Sequence, residues 1–195
     1  MSSRILVLDI PPGDASVLER LSPALNAIYT ATELNFDYEE TVEGIDLTKH
    51  VYIELSSDDQ IVIVDDFRTP VCYIQLESDD HLDYLVERLT RWLKPVPFAE
   101  LEERAQRTRG KDPGALVRLA LAAGGHDPSD RACALIREAL ASSDPKVKNT
   151  AIEAASLTRW QTLGADLDEL ARHDPDPEVR SHAAKARQLL DGAKG

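Results

Sequence analysis

Carboxylates are the side chains in this sequence whose types and spacing could do chemistry. Between positions 33 and 59 stand nine acids, Glu33, Asp37, Glu39, Glu40, Glu43, Asp46, Glu54, Asp58 and Asp59, against one base, Lys49. A stretch this negative either steers and holds a basic partner or simply keeps the chain soluble. Adjacent acids also occur as Asp58-Asp59, Asp65-Asp66 and Asp79-Asp80. Paired acids at loop ends can bind a divalent cation, yet no spacing here matches a calcium loop. Asp65-Asp66 ends the apolar run Ile61-Val62-Ile63-Val64, and Arg68-Thr69-Pro70 then leads straight into another strand-like run. That placement suits a hairpin turn, where Asp is favoured because its carboxylate bonds to nearby backbone.

Other reactive side chains are sparse. Cys72 and Cys133 lack any metal-type spacing, and in a reducing cytoplasm they read as two buried free thiols. Cys72 shares a strand face with Ile74 and Leu76, as a small core residue would. The histidines at 50, 81, 126, 173 and 182 show no metal spacing either, and each suits a surface or capping position. There is no G-x-S-x-G, no glycine-rich phosphate loop and no Cys-His pairing. The sequence thus points to no catalytic residue, no cofactor and no metal. A non-enzymatic protein is expected, with a metal-dependent enzyme using the paired carboxylates as an alternative.

Charge sorts the possible partners. The net charge of −13 is uneven: residues 1–94 hold 19 Asp/Glu against 7 Lys/Arg, and residues 95–195 hold 16 against 15. The first half carries −12 and the second −1. Phosphate binding needs cations, so nucleic acid and anionic membranes are poor partners for the first half. A basic protein is the favoured one, at Glu33, Asp37, Glu39, Glu40, Glu43, Asp46, Asp58 and Asp59. The longest early apolar run, Ile5-Leu6-Val7-Leu8, is too short for a signal-peptide core or a membrane span, so a cytoplasmic location is expected.

Two kinds of element must position these groups. In residues 1–94, Ile5-Leu6-Val7-Leu8 reads as a strand covered on both sides. Asp14 then caps a helical stripe of Val17, Leu18, Leu21, Leu25 and Ile28, with a break or restart allowed at Ser22-Pro23. Strand-like runs follow at 50–55, 60–64 and 70–76, joined by short polar turns as in an antiparallel meander, and residues 30–40 add a further candidate. In the first of these runs Val51, Ile53 and Leu55 fall on one face and Tyr52 and Glu54 on the other. Ser78-Asp79-Asp80-His81 opens a second helix with the stripe Leu82, Leu85, Val86, Leu89 and Leu93. The first half is therefore an acidic α+β domain, mostly antiparallel sheet with two helices.

Residues 95–111 read as a linker and connecting helix, with Lys94-Pro95-Val96-Pro97 extended. From 112 to 195 only helical periodicity remains. Asp-Pro recurs at 112, 144 and 176, a spacing of 32. Asp144-Pro145-Lys146-Val147-Lys148-Asn149-Thr150-Ala151 and Asp176-Pro177-Glu178-Val179-Arg180-Ser181-His182-Ala183 share D-P-x-V-[KR]-x-x-A. Asp caps the helix, Pro fills its first turn, and Val and Ala four apart point inward. Further helices are expected at 129–141 and about 163–172. Such pairs bury their apolar faces only by stacking.

Over roughly residues 112–190 this pattern resembles the HEAT-repeat family, in particular its short bacterial PBS-lyase type. The first unit departs from it, with two extra residues before Val117-Arg118. The resemblance implies an all-α solenoid that offers a surface to another protein, and it implies structural roles for Asp144, Lys148, Asp176 and Arg180 in linking repeats. The expected function is therefore protein binding through the acidic surface and the repeats, as an immunity or inhibitor protein for a basic toxin. An adaptor or scaffold subunit binding through the repeats is the alternative.

Overall fold

In the computed structural model, which describes residues 2–108, 112–124 and 126–192, the β-branched runs of the first half pair into one sheet. Strands β1 (Ser2–Leu8), β2 (Phe36–Glu43), β3 (Leu47–Glu54), β4 (Gln60–Asp66) and β5 (Val71–Ser78) lie in the order β1-β5-β4-β3-β2. Every neighbouring pair is antiparallel. β2 to β5 form the meander. β1 joins at β5 because α1 (Ser16–Thr32) carries the chain away before β2 begins.

One sheet face is covered by helices. Leu6, Leu8, Ile61, Ile63, Cys72, Ile74 and Leu76 meet Val17, Leu21, Ala24 and Ile28 of α1 and Leu85, Leu89 and Leu93 of α2 (Leu82–Leu93). Each such large side chain contributes about 1.5–3 kcal/mol by leaving water, so this layer holds the α+β unit together. On β3 it is Tyr52 that packs against this core, and Glu54 is buried beside it. Val51 and Ile53 face the other side, and Leu55 is 65% exposed.

Three local expectations change. α1 runs unbroken through Pro23, which costs it one backbone hydrogen bond and on the order of 3 kcal/mol. The buried residues Val17 and Leu21 before the proline and Ala24 and Ile28 after it offset that cost. The strand candidate at 30–40 begins only at Phe36, because α1 extends to Thr32 and ends on Glu33 in the left-handed region (φ 66°). Asp14 lies two residues before the helix and accepts a hydrogen bond from the Ser16 N–H at 2.8 Å.

The chain divides into two compact units, Met1–Val96 and Pro97–Gly195. Among the described residues the second unit is all helical: α3 (Phe98–Thr108), α4 (Pro113–Ala123), α5 (Asp130–Leu140), α6 (Pro145–Thr158), α7 (Gly164–His173) and α8 (Pro177–Gly192). A 3-10 turn at Gln161–Leu163 precedes α7. α4, α6 and α8 pack in succession, while α3 packs on α4, α5 on α6 and α7 on α8. These are three helix pairs. Each Asp-Pro opens the second helix of its pair, so the stack begins with α3, inside the stretch read as linker and connecting helix.

The first pair also keeps register. Asp112 caps α4 by accepting from the Gly114 N–H at 3.0 Å, as Asp144 caps α6 and Asp176 caps α8. No residues are inserted: Ala115 and Leu119 take the places of Val147 and Ala151, and both are buried. Leu116 stands where the later units have Lys148 and Arg180.

Candidate functional site

The sheet face opposite α1 and α2 carries three of the acids that the sequence singled out, Asp37, Glu39 and Glu40, and a β-bulge sets the last two together. Register shifts between Tyr38 and Glu40, so that Tyr38 pairs with Tyr52 and Glu40 with Val51. The extra residue is Glu39. A bulge sets two residues of one strand opposite one of its neighbour, and here Glu39 and Glu40 both border the same groove. Asp37, opposite Ile53, belongs to this face too.

The floor of the groove is apolar, formed by Val51 and Ile53 of β3 and Val62 of β4, with Leu47 and Val42 at one end. Glu39 and Glu40 stand on the β2 side and Glu77 on the β5 side beside Gln75, with Gln60 of β4 between; Lys49 is the only base among the lining residues. Gln75 Nε2 donates to Glu77 Oε1. Glu77 escaped the sequence reading. Its signal was the alternation in β5, where Tyr73, Gln75 and Glu77 oppose the buried Cys72, Ile74 and Leu76.

The remaining acids scatter. Glu33 ends α1, Asp46 lies in the β2–β3 turn, and Asp58 is exposed in the β3–β4 turn. Glu43 pairs with Thr48, which pairs with Asp65, which pairs with Cys72; it therefore points to the helix-covered side. Asp59, read as a surface contact, is 5% exposed and bonds His81 Nδ1 at 2.8 Å, joining the β3–β4 turn to the start of α2. Burial and that partner remove it from the accessible set.

Glu54 is also buried and structural. It accepts from the Asn35 N–H (3.1 Å), the Ser56 N–H (2.8 Å) and the Ser56 hydroxyl (2.9 Å). Burial disfavours its charge, but these donors win and bring the pKa down from 4.5 to about 2. Cys72 moves the other way: burial, then the charge of Asp65, push its thiol far up. Both cysteines are free and buried. Among the described residues no group of three or more His, Cys, Asp or Glu side chains could hold a metal ion. No helix among them is long and apolar enough to cross a membrane.

In the helical unit, Asp144 and Asp176 serve their own helices as caps, accepting from Lys146 N–H (2.9 Å) and Glu178 N–H (2.8 Å). Lys148 reaches from the second pair to the carboxylate of Asp174 in the third. Arg180 donates to the Asp174 and Pro175 carbonyls at 2.7 and 3.1 Å. Asp174 also accepts from the Asp176 N–H at 2.9 Å, which makes it the node of this junction. The sequence motif missed it because Ser142 occupies its place one repeat earlier, accepting from the Asp144 N–H at 3.1 Å.

Stacked helix pairs in which each pair contacts only its neighbours define an α-solenoid. Residues 101–187 match the family model for HEAT repeats, and this part of the chain is a HEAT-repeat region. HEAT repeats generally mediate contacts between proteins. A search among curated proteins found no match, and neither did a search among solved structures.

Proposed function

We infer that this chain is a non-enzymatic binding protein whose acidic sheet face takes a basic partner protein, with the HEAT stack as the rest of the interaction platform. The observation that carries the reading is the bulge, which sets Glu39 and Glu40 side by side over a floor of Val51, Ile53 and Val62. An apolar centre with a charged rim is the anatomy of a protein interface, and opposite charge on the partner raises the association rate. The specific form we favour is an immunity or inhibitor protein that covers the cationic active site of a toxin such as a nuclease. Two buried free thiols support a reducing cytoplasm as its location.

The test is recovery of the tagged chain from extracts of its source at low and high salt, followed by binding kinetics with the purified partner. A stoichiometric basic partner should emerge. Glu39→Lys/Glu40→Lys/Glu77→Lys, which reverses the three carboxylates that line the groove, should slow its association by about tenfold or more, with little change in dissociation. Unchanged association would sink the reading. The HEAT match favours a second one, an adaptor binding through the repeats. In that case the partner persists in high salt and ignores the charge reversal.

A further inference from the structure

The groove takes up the accessible part of this sheet face, whose Val7, Val64 and Val71 are buried, and its width selects its occupant. Its carboxylates form two banks, Glu39 and Glu40 on β2 and Glu77 on β5, with the floor of Val51, Ile53 and Val62 between them. Measured across the order β5-β4-β3-β2 the banks lie three strand spacings apart, about 14 Å at about 4.8 Å per spacing, with Glu77 in the row of Asp37 and Glu40 in the next row along. An α-helix with its side chains is about 10–12 Å across and fills that width. An extended strand that sets its apolar side chains on the floor turns every alternate side chain away from it, so it offers no basic flank to either bank. Addition of a strand at the free edge of β2 is disfavoured as well, because the bulge at Tyr38/Glu40 interrupts the ladder there. The opposite face of the same sheet is already covered in this way, by α1 and α2.

We propose that this groove binds a basic amphipathic helix of a partner protein, its apolar stripe on Val51, Ile53 and Val62 and its Lys or Arg flanks between Glu39/Glu40 and Glu77. Lys49, the one base lining the groove, directs the helix C-terminus to its end of the floor, since that terminus carries negative potential. The proposal rests on the acidic-face reading above and adds the form of the occupant.

The test titrates the full chain into a fluorescein-labelled synthetic peptide of about 16 residues, long enough to fold on a surface, with leucine at helical spacing and lysine on both flanks. A second peptide has the same composition with leucine and lysine alternating, and a third replaces lysine by glutamate. The helix-patterned lysine peptide should bind about tenfold more tightly than either companion and gain helical circular dichroism on binding. Glu39→Gln/Glu40→Gln/Glu77→Gln should weaken it about tenfold. Val51→Thr/Ile53→Thr keeps β-branched residues in the strand and should weaken it several-fold at unchanged fold.

Equal binding of the alternating peptide overturns the helix and leaves the acidic face standing. Equal binding of the glutamate peptide, or indifference to the glutamine variants, overturns both. Binding of no peptide overturns the helix, while charge reversal against the natural partner still decides the acidic face. A dimer in sedimentation that Val51→Thr/Ile53→Thr dissociates assigns the face to a second copy of the chain and overturns the proposal.

Discussion

At the scale of single residues, the buried carboxylates do more for the fold than the exposed ones. Glu54 spends its charge on the turn that follows β3, tying Asn35 and Ser56 to the strand end. Its pKa is depressed in the folded chain, so the stability it contributes is present above the unfolded value and is lost as pH falls through about 2. Glu54→Gln should therefore destabilise the protein by about 1–2 kcal/mol at neutral pH. In urea melts the gap to the wild type should narrow as pH drops from 4.5 toward about 2. A constant gap would mean that shape, not charge, holds the turn. Cys72 illustrates the converse: its burial suppresses the thiolate, so it acts as a small apolar core residue.

At the scale of elements, caps and junctions differ in what their loss should cost. Asp144→Ala and Asp176→Ala each remove one cap and should cost about 1 kcal/mol. Asp174 is buried against Lys148, and its pKa lies below the usual range because burial, which raises it, is outweighed by Lys148, the Asp176 N–H and Arg180. Asp174→Asn strands the Lys148 ammonium, 14% exposed, and should cost about 3 kcal/mol, well above either cap. Denaturant midpoints of the three variants give the comparison, and equal losses would deny Asp174 its place at the junction. α6 ends on Arg159 at φ 56°, a conformation that costs any residue with a Cβ. Arg159→Gly should raise stability by about 0.5–1 kcal/mol in the same assay, an uncommon direction for a change to glycine.

At the scale of the whole molecule, charge is partitioned by unit. With 19 acids against 7 bases in residues 1–94 and 16 against 15 beyond, any electrostatic steering comes from the sheet unit. Salt screens such steering over a Debye length of about 8 Å at physiological strength. Raising salt from about 0.05 to about 0.5 M should therefore slow association with the basic partner by about tenfold and leave dissociation nearly unchanged in surface-plasmon measurements. A partner whose association ignores salt would shift the binding role to the HEAT stack.

The helical stack was the most legible part of the sequence, because a cap and a first-turn proline recur on a 32-residue period and local hydrogen bonding fixes both. Phase was not legible: α3 carries no such motif, so only its packing against α4 and α5 shows that the repeats begin there. In the first half, local patterning determined the strands, the two helices and the burial of Cys72. It did not determine which face of β3 meets the helices, since Val51-Tyr52-Ile53-Glu54 alternates between two plausible faces. Nor did linear acid density reveal the site. Asp59 turned inward to His81 and Glu43 fell on the other side, while the bulge brought Glu39 and Glu40 together and the antiparallel order β5-β4-β3-β2 put Glu77 across the sheet in the row of Asp37, next to the row of Glu40. Composition and period are properties of the chain and survive without a fold. Which side chains share a face depends on strand register and a single inserted residue, and those are set only when the strands pair.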